Sequence, residues 1–310
     1  MDFSIQVRNL IRQQIGDWDI AAKNYGSLKN VKVKTFDFDD YHIDIQYNPE
    51  RILSSSAKVD AQSIEARPCF LCQKNLPSQQ RWLSFDNKSL VLVNPFPIFP
   101  QHLTIPCISH TDQRIFGNFG SMLELAASLE DFVIFYNGPQ CGASAPDHLH
   151  FQAGNKGFLP IETDFINGKC CSEVRRIKSV KIFHWLDYHR GIITLCGNNK
   201  NDLITCFNQI YDQLQLLQPS EVEPMLNILA LFKNQEWVIH IFPRTLHRPA
   251  QYFEKGEKQI ILSPAAVDMG GVLILPGKED FDKISERDIV DIFKQVCLEQ
   301  SIIIKLINDL

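Results

Sequence analysis

The sequence predicts an α+β fold in which two similar halves pack into one compact unit. Between residues 89 and 152, hydrophobic patterns follow the order strand, strand, helix, strand, strand. A weaker echo of the same content follows between residues 192 and 275, ahead of a closing helix. Because no low-complexity linker separates the two sets, we expect residues 1–175 and 176–310 to form halves of mostly antiparallel sheets with packed helices.

The first half opens with a predicted helix and a predicted hairpin. The helix runs from Phe3 to Tyr25. Strict alternation of apolar and polar residues then predicts two half-buried strands, residues 31–38 and 41–47. The remaining predicted elements of this half are strands at residues 89–93, 103–106, 132–136 and 148–152 and a helix near residues 120–131.

The second half contains a comparable set of predicted elements. They are strands at residues 192–195, 237–242, 259–262 and 272–275, a helix at residues 202–217 and a closing helix from Ser285. Similar content suggests an internal duplication, although residue identity between the halves is too slight to prove one.

The composition favours a large core and excludes several classes of protein. With 310 residues, 45% of them hydrophobic, the chain can bury a sizeable interior. A net charge of −5 with mixed signs offers no broad positive face, so nucleic acid is not an expected partner. No apolar stretch approaches the roughly 20 residues of a membrane span, and the N-terminus lacks a basic-then-apolar export signal. We therefore expect a cytoplasmic protein.

The segment His148-Leu-His-Phe-Gln152 carries the most informative polar pattern. In an extended segment alternate side chains share a face, so His148, His150 and Gln152 would project together. A strand whose outer face happens to be polar would explain the two histidines equally well. Two further features favour a chemical role.

The first feature is the turn that follows the predicted strand at residues 132–136. Asn137-Gly-Pro-Gln-Cys-Gly142-Ala-Ser144 combines two glycines, an amide and a hydroxyl, which lets backbone N–H groups approach an anion. A plausible phosphate cradle results, although glycine turns usually only reverse the chain.

The second feature is a set of metal-binding residue types. Nine cysteines, an odd and scattered number, do not form the disulfide pattern of a small secreted domain, so we expect reduced thiols. The spacing of Cys69 and Cys72 lets both thiolates reach one tetrahedral Zn²⁺. His148 and either His110 or His102 could complete the site, and spacing alone does not separate these two. A redox pair is the alternative, but the surroundings lack its strand-to-helix context.

These motifs together resemble one family. Cys-x-x-Cys, Asn-Pro-Phe-Pro-Ile-Phe-Pro-Gln-His-Leu-Thr-Ile-Pro-x-x-x-His, Asn-Gly-x-x-x-Gly-x-Ser and His-x-His-x-Gln occur in this order between residues 69 and 152. The set resembles the nucleotidyltransferase and phosphorylase branch of the histidine-triad (HIT-like) superfamily. That branch includes galactose-1-phosphate uridylyltransferase, diadenosine tetraphosphate phosphorylase and the GDP-hexose phosphorylases. The match is specific over residues 67–153 and only architectural beyond residue 180.

The resemblance implies a role for each matching residue. His150 would be the nucleophile and Gln152 the group that hydrogen-bonds the transferred phosphoryl. A structural Zn²⁺ would be held by the four residues Cys69, Cys72, His110 and His148. The implied substrate contacts are Asn137, Gly142 and Ser144, together with Arg51 and Arg67 in the segment where relatives contact nucleotide phosphates. The sequence departs from the family pattern at Asp147, which looks like an extra residue between Pro146 and His148.

Four polar residues of the second half have weaker signals. His240 lies in Val238-Ile-His-Ile-Phe-Pro-Arg244, which resembles a degenerate copy of the first motif, and we interpret it as a satisfied polar residue at a strand edge. Arg244, His247 and Arg248 lie in a polar loop with two prolines, where their side chains could bind phosphate or face solvent.

The amide at position 152 shifts the predicted chemistry from hydrolysis to transfer. An amide cannot protonate a poor leaving group but can donate to a nonbridging oxygen. We therefore expect a nucleotidyltransferase or phosphorylase that moves a nucleoside monophosphate from a nucleotide sugar or a dinucleoside polyphosphate to phosphate or a sugar phosphate. The alternatives are a zinc-stabilised nucleotide-binding or nucleotide-sensing protein without turnover and a nucleotide-sugar hydrolase. Relatives with this architecture are often dimeric, so a homodimer is one expected state.

Overall fold

A computed structural model describes residues 3–51, 64 and 66–310 and shows the predicted α+β class. No helix in this part of the chain is long and apolar enough to cross a membrane. The helices are α1 (Phe3–Asp17), α2 (Asp19–Ser27), α3 (Phe119–Ser128), α4 (Pro160–Asn167), α5 (Lys200–Leu217), α6 (Ala266–Met269), α7 (Lys278–Lys283), α8 (Glu286–Val296) and α9 (Gln300–Asp309). The strands are β1 (Lys32–Asp37), β2 (His42–Tyr47), β3 (Trp82–Phe85), β4 (Ser89–Val93), β5 (His102–Pro106), β6 (Phe132–Asn137), β7 (His150–Asn155), β8 (Cys171–Ile177), β9 (Val180–Trp185), β10 (Ile193–Gly197), β11 (Leu226–Lys233), β12 (Glu236–Pro243) and β13 (Val272–Leu275).

One ten-stranded antiparallel sheet contains strands from both halves of the chain. Its order is β3-β4-β5-β7-β6-β11-β12-β10-β9-β8. Read inward from either edge, each block of five shows three strands in chain order followed by the fifth and then the fourth. A helix connects the third and fourth strands of each block, α3 in the first and α5 in the second. The predicted echo is therefore visible as a repeated topology, with β6 and β11 paired at the centre.

The centre of the ten-stranded sheet is buried on both faces, whereas its edge strands β3 and β8 are partly exposed. Alternate residues of β6 enter different hydrophobic clusters: Ile134 packs with α3 and α5, whereas Val133 packs with β13 and α8. A second sheet of order β1-β2-β13 covers part of the latter face, with β13 parallel to β2. Burial on both sides explains why β6 lacks the apolar–polar alternation that the half-buried hairpin shows.

The helix predicted from Phe3 to Tyr25 is interrupted. Trp18 separates α1 from α2 with an extended backbone (φ −118°, ψ 105°), and its side chain is buried. The predicted helix is thus two shorter helices, because the chain turns at this tryptophan.

The predicted strand at residues 259–262 is wrong. Ile260 and Leu262 are buried and Ile261 is partly exposed, which produces a strand-like alternation. The backbone N–H of Ile260 donates to the carbonyl of Gln251, however, and that of Ile261 donates to the carboxylate of Asp280. These donors have partners outside any sheet, so no strand forms.

Strand β7 begins two residues later than predicted. The backbone N–H of His148 donates to the carbonyl of Ala145 in a turn, and the strand starts at His150. Four further strands were not predicted from the sequence: β3, β8, β9 and β11. Strand β8 crosses the predicted boundary at residue 175 and pairs with β9 in the second block.

Candidate active site

Four side chains converge beside the start of β7. The sulfurs of Cys69 and Cys72 and the ring nitrogens of His110 and His148 all lie within 4.8 Å of one another. Cys69 Sγ is 3.2 Å from His148 Nδ1, and Cys72 Sγ is 3.2 Å from His110 Nδ1. Two thiols and two imidazoles at this spacing could bind one metal ion.

The ring of His148 is oriented by a backbone carbonyl. Its Nε2 lies 2.8 Å from the carbonyl oxygen of Cys107 and donates its proton there. Nδ1 is therefore left unprotonated toward the two sulfurs, which is the usual arrangement for a metal-binding histidine.

His102 lies outside the thiol cluster. Its Nδ1 accepts the backbone N–H of Ile98 at 3.1 Å, so its Nε2 carries the proton and donates to Gln152 Oε1 at 2.9 Å. The structure thus brings His110 to the sulfurs, a choice that spacing alone had left open.

His150 is the first residue of β7 and only 3% exposed. Its Nδ1 lies 2.8 Å from the carbonyl oxygen of His148, to which it donates. Nε2 is the nitrogen left with a lone pair. Burial lowers the pKa of His150 to about 4, against a smaller opposite effect of the hydrogen bond to His148. A neutral imidazole with one fixed nitrogen has the form of a histidine nucleophile.

Gln113, which the sequence analysis missed, holds the start of β7 in place. Its Oε1 accepts the backbone N–H of His150 at 2.8 Å. Its Nε2 donates to the carbonyl oxygens of His150 and Asn137, at 3.1 and 2.9 Å. This fully buried amide ties β7 to the end of β6, and a single glutamine in a loop has no sequence pattern that would reveal it.

Gln152 is oriented so that its donors remain available. Its Oε1 accepts from His102 at 2.9 Å and from Asn94 Nδ2 at 3.4 Å. Because the oxygen is engaged on one side, the amide nitrogen carries two N–H donors on the other. His102 therefore determines which way this amide points.

The turn after β6 contributes a second amide and a close backbone approach. Asn137 Oδ1 accepts from Asn227 Nδ2 at 2.9 Å and from the backbone N–H of Ala266 at 2.8 Å, which leaves its Nδ2 as a donor. Gly142 has φ +93°, and a Cβ there would lie 2.6 Å from the Cβ of Ala265. Only glycine fits this position.

A cavity of about 720 Å³ contains these groups. The polar residues His150, Gln152, Asn137, Gly142 and Ser144 line it. Apolar lining comes from the start of α2, the loop that contains Cys69 and Cys72, and the proline-rich turn before β5; it includes Trp18, Phe70 and Pro95. The second half supplies a further part of the wall, which includes Arg248, Tyr252 and Ser263. A volume of this size matches a nucleotide-sized ligand.

The two predicted arginines of the loop before the thiols have different outcomes. Arg67 lines the cavity, donates to the carbonyl of Ser144 at 3.1 Å and stacks on the Phe70 ring at 4.7 Å. It also lies 3.8 Å from the carboxylate of Asp147, the apparent extra residue. Arg51 ends a short 3₁₀ helix, and its side chain lies outside the described part of the structure.

The polar residues of the second half separate into core and cavity positions. His240 is buried, with Nδ1 2.8 Å from Thr194 Oγ1, and burial lowers its pKa to about 3. Arg244 is fully buried and donates to four backbone carbonyls and to Asn227 Oδ1. His247 and Arg248 line the cavity instead. Tyr252 and Ser263 belong to the same wall and were missed, because no motif marks them.

Two family models match almost the whole chain in succession. A domain of unknown function, DUF4922, matches residues 10–155, and the GDPGP1-like C-terminal domain matches residues 166–303. Diadenosine 5',5'''-P1,P4-tetraphosphate phosphorylase 2 of Saccharomyces cerevisiae is 26% identical over 179 residues, which are 51% of this chain and 54% of that protein. The alignment thus spans about half the length of this curated relative.

Solved structures of a yeast enzyme show the same fold. The crystal structure of yeast Ap4A phosphorylase Apa2 has a TM-score of 0.61 and 16% identity, covering 91% of this chain and 97% of that one. Its complex with Ap4A has a TM-score of 0.59 and 18% identity, covering 93% and 97%. At these identities the likeness concerns the fold.

Proposed function

Because the chain belongs to the HIT-like superfamily of nucleotidyltransferases and phosphorylases, we propose that it transfers a nucleoside monophosphate through a covalent intermediate on His150. The donor would be a nucleotide sugar or a dinucleoside polyphosphate, and the acceptor phosphate or a sugar phosphate. The observation that carries the proposal is the hydrogen bond from His150 Nδ1 to the His148 carbonyl, which leaves Nε2 as the reactive nitrogen in a nucleotide-sized cavity.

The proposed reaction consists of two displacements at the same phosphorus. In the first, the Nε2 lone pair forms a P–N bond to the α-phosphorus while the bond to the leaving phosphate oxygen breaks, and that oxygen departs with the electron pair. In the second, an acceptor oxygen forms a new P–O bond and the electron pair of the P–N bond returns to Nε2. Neither displacement needs a proton from position 152, which agrees with an amide there.

Two amides would stabilise the charge that develops on the transferred phosphoryl group. The available N–H donors of Gln152 and Asn137 both line the cavity that contains His150. Because each amide oxygen is already engaged, the donors need no reorientation as the reaction proceeds, and preorganised donors of this kind contribute strongly to catalysis. The backbone at Gly142 and the side chains of Ser144, Arg67 and Arg51 would complete the phosphate contacts.

We propose Zn²⁺ as the metal of the thiol cluster, held by Cys69, Cys72, His110 and His148. In a tetrahedral zinc site, sulfur and nitrogen ligands lie roughly 3.5 Å apart. The sulfur–nitrogen distances of 3.2, 3.2 and 3.7 Å fit this value. With four protein ligands the ion would have a structural role and would not activate water. It would fix His148, whose carbonyl orients the His150 ring.

The activity and ligands of the relatives favour a dinucleotide as the substrate. The yeast relative is a tetraphosphate phosphorylase, and the related structures were solved with Ap4A and with AMP. We also propose that the two blocks of the sheet are the two halves, divided near residue 175, and that the chain forms a homodimer.

The test is an intact-mass measurement near neutral pH after incubation with nucleotide sugars and dinucleoside polyphosphates. We expect a mass gain of one nucleoside monophosphate that disappears in His150→Ala and remains in the matched control His42→Ala. An adduct that survives His150→Ala would contradict the proposed nucleophile. Binding without an adduct would favour a sensing protein, and release of free monophosphate without an added acceptor would favour a hydrolase.

A further inference from the structure

The loop that follows β12 places a positive side chain in the cavity wall. Arg248 and His247 line the cavity together with Ser263. Near Phe70 the cavity is also lined by Arg67, which lies 3.8 Å from the carboxylate of Asp147. Of the two arginines that line the cavity in the described part of the chain, Arg248 is thus the one whose charge remains for a ligand.

Hydrogen bonds from the buried Arg244 hold this loop in place. The Arg244 guanidinium donates to the carbonyls of Leu246 and His247 at 3.0 and 3.2 Å. Its other nitrogens donate to the carbonyls of Val296 and Pro264, at 3.0 and 2.9 Å. A fully buried arginine used in this way fixes the backbone of residues 246–248.

The same arginine links the loop to the phosphate cradle. Arg244 donates to Asn227 Oδ1 at 2.7 Å, and Asn227 Nδ2 donates to Asn137 Oδ1 at 2.9 Å and to the Cys141 carbonyl at 2.7 Å. One buried hydrogen-bond network therefore connects the Arg248 loop to the turn after β6, which lines the same cavity as His150.

Arg248 itself is held by two contacts that leave its charge unneutralised. Its Nε donates to Ser263 Oγ at 3.1 Å, and its guanidinium carbon lies 4.2 Å from the centre of the Tyr252 ring. Within residues 3–51, 64 and 66–310, no carboxylate lies within 4.0 Å of this guanidinium. Both terminal nitrogens therefore keep their donors for a ligand. A planar, two-pronged cation is the group best matched to a phosphate.

His247 beside it stays neutral. Burial, together with the neighbouring charges of Arg248 and Arg244, lowers the pKa of His247 to about 4. Near neutral pH His247 is thus a neutral imidazole beside the Arg248 guanidinium.

We propose that Arg248, positioned by Ser263 and Tyr252, binds the phosphate group of the acceptor, which is also the phosphate group that leaves in the first displacement. This inference rests on the proposed function. In an in-line displacement the attacking and leaving oxygens lie on opposite sides of the phosphorus. The acceptor oxygen therefore approaches from the side of the phosphorus away from His150, and Arg248 lines the same cavity as His150. That oxygen bonds to the α-phosphorus as the P–N bond breaks, and the freed electron pair returns to Nε2.

The experiment follows the decay of isolated nucleotidylated full-length protein against acceptor concentration, with inorganic phosphate in one arm and glucose 1-phosphate in the other. In the unmutated chain we expect saturable acceleration by at least one acceptor, and the effective arm identifies the source of the phosphate group. Arg248→Gln should raise the half-saturating concentration at least 10-fold, and Arg248→Lys should recover part of that loss. Arg287→Gln removes an exposed arginine on α8 and should change nothing.

Acceleration in the unmutated chain with the same half-saturating concentration in Arg248→Gln would overturn the inference without touching the proposed function. Decay of the adduct that neither acceptor accelerates would overturn both the inference and the proposed acceptors, while the covalent step would stand. If Arg248→Gln unfolds, Ser263→Ala replaces it, since losing the bond to Nε should still raise the half-saturating concentration several-fold. Failure to form any adduct in the unmutated chain would instead contradict the function on which the inference rests.

Discussion

Strands β7 and β12 occupy equivalent places in the two blocks of the sheet, and each carries a buried histidine. In both rings Nδ1 is hydrogen-bonded, His150 to the backbone carbonyl of His148 and His240 to the hydroxyl of Thr194. His150 lines the cavity. His240 instead packs beside Phe165 and Trp185. The same scaffold thus supports a reactive position in one block and a core position in the other, and the surroundings decide which.

The largest difference should appear when each histidine is replaced. We expect His150→Ala to lower nucleotidyl transfer by about 10⁴-fold or more, because the covalent route is lost, with little change in melting temperature. His240→Gln should cost about 1–3 kcal/mol of stability, because it disturbs the buried hydrogen bond to Thr194, but keep most of the activity. Steady-state rates and thermal unfolding check both. Loss of activity in folded His240→Gln would break the comparison.

The metal cluster sharpens the comparison, because within the described residues only the first block has one. We expect about one Zn²⁺ per chain by elemental analysis, with none in Cys72→Ser and one in the control Cys171→Ser. Removing the ion should lower the melting temperature by about 10 °C or more and weaken nucleotide binding, since Phe70 and Leu71 between the ligands line the cavity. Full activity in metal-free protein would contradict the proposed structural role of the ion.

Replacing Gln152 tests whether its amide N–H donors stabilise the transferred phosphoryl group. Gln152→Glu keeps the shape but replaces two N–H donors with a second negative oxygen facing phosphate. We expect about a 100-fold fall in kcat, which is the size associated with losing one preorganised donor. Rate measurements at saturating substrate check this. The same rate in both proteins would mean that the amide does not contact the reacting phosphoryl group.

Glu223 tests how the second half supports the first. Its buried carboxylate accepts the backbone N–H of Ile115 at 2.6 Å and the hydroxyl of Tyr136 at 2.5 Å. Burial raises the pKa of Glu223 from 4.5 to about 7. The folded state therefore keeps a proton that the unfolded chain loses above pH 4.5, so stability should fall as the pH rises from about 4.5 to about 7.

The expected fall at Glu223 is at most about 3 kcal/mol. Denaturant unfolding across that pH range should show the slope in the unmutated chain and in the exposed control Glu254→Gln, and a flatter profile in Glu223→Gln. A profile that is unchanged in Glu223→Gln would assign the slope to other groups.

The sequence revealed those parts of the site that lie close together along the chain. Cys69, Cys72, His148, His150 and Gln152 were predicted because their spacing has a chemical meaning within a few residues. Gln113, Arg248 and the Asn227 link to Asn137 were not singled out in this way, because their contacts join residues 15 to 90 positions apart.

The fold shows the same limit. The class and most first-half strands were predicted from hydrophobic periodicity, and α5 was predicted to within two residues. Strand β11 was missed because its first five residues are buried without alternation and, unlike those of β6, are not mostly β-branched or aromatic. The strand predicted at residues 259–262 was wrong because these residues alternate between buried and exposed within a loop.

The configuration at the α-phosphorus tests the covalent mechanism most directly. A substrate made chiral at that phosphorus with sulfur and oxygen isotopes can be converted to product and examined by ³¹P NMR. Each in-line displacement inverts the configuration, so transfer through a nucleotidylated His150 predicts overall retention. Overall inversion would mean one direct transfer between donor and acceptor and would contradict the mechanism.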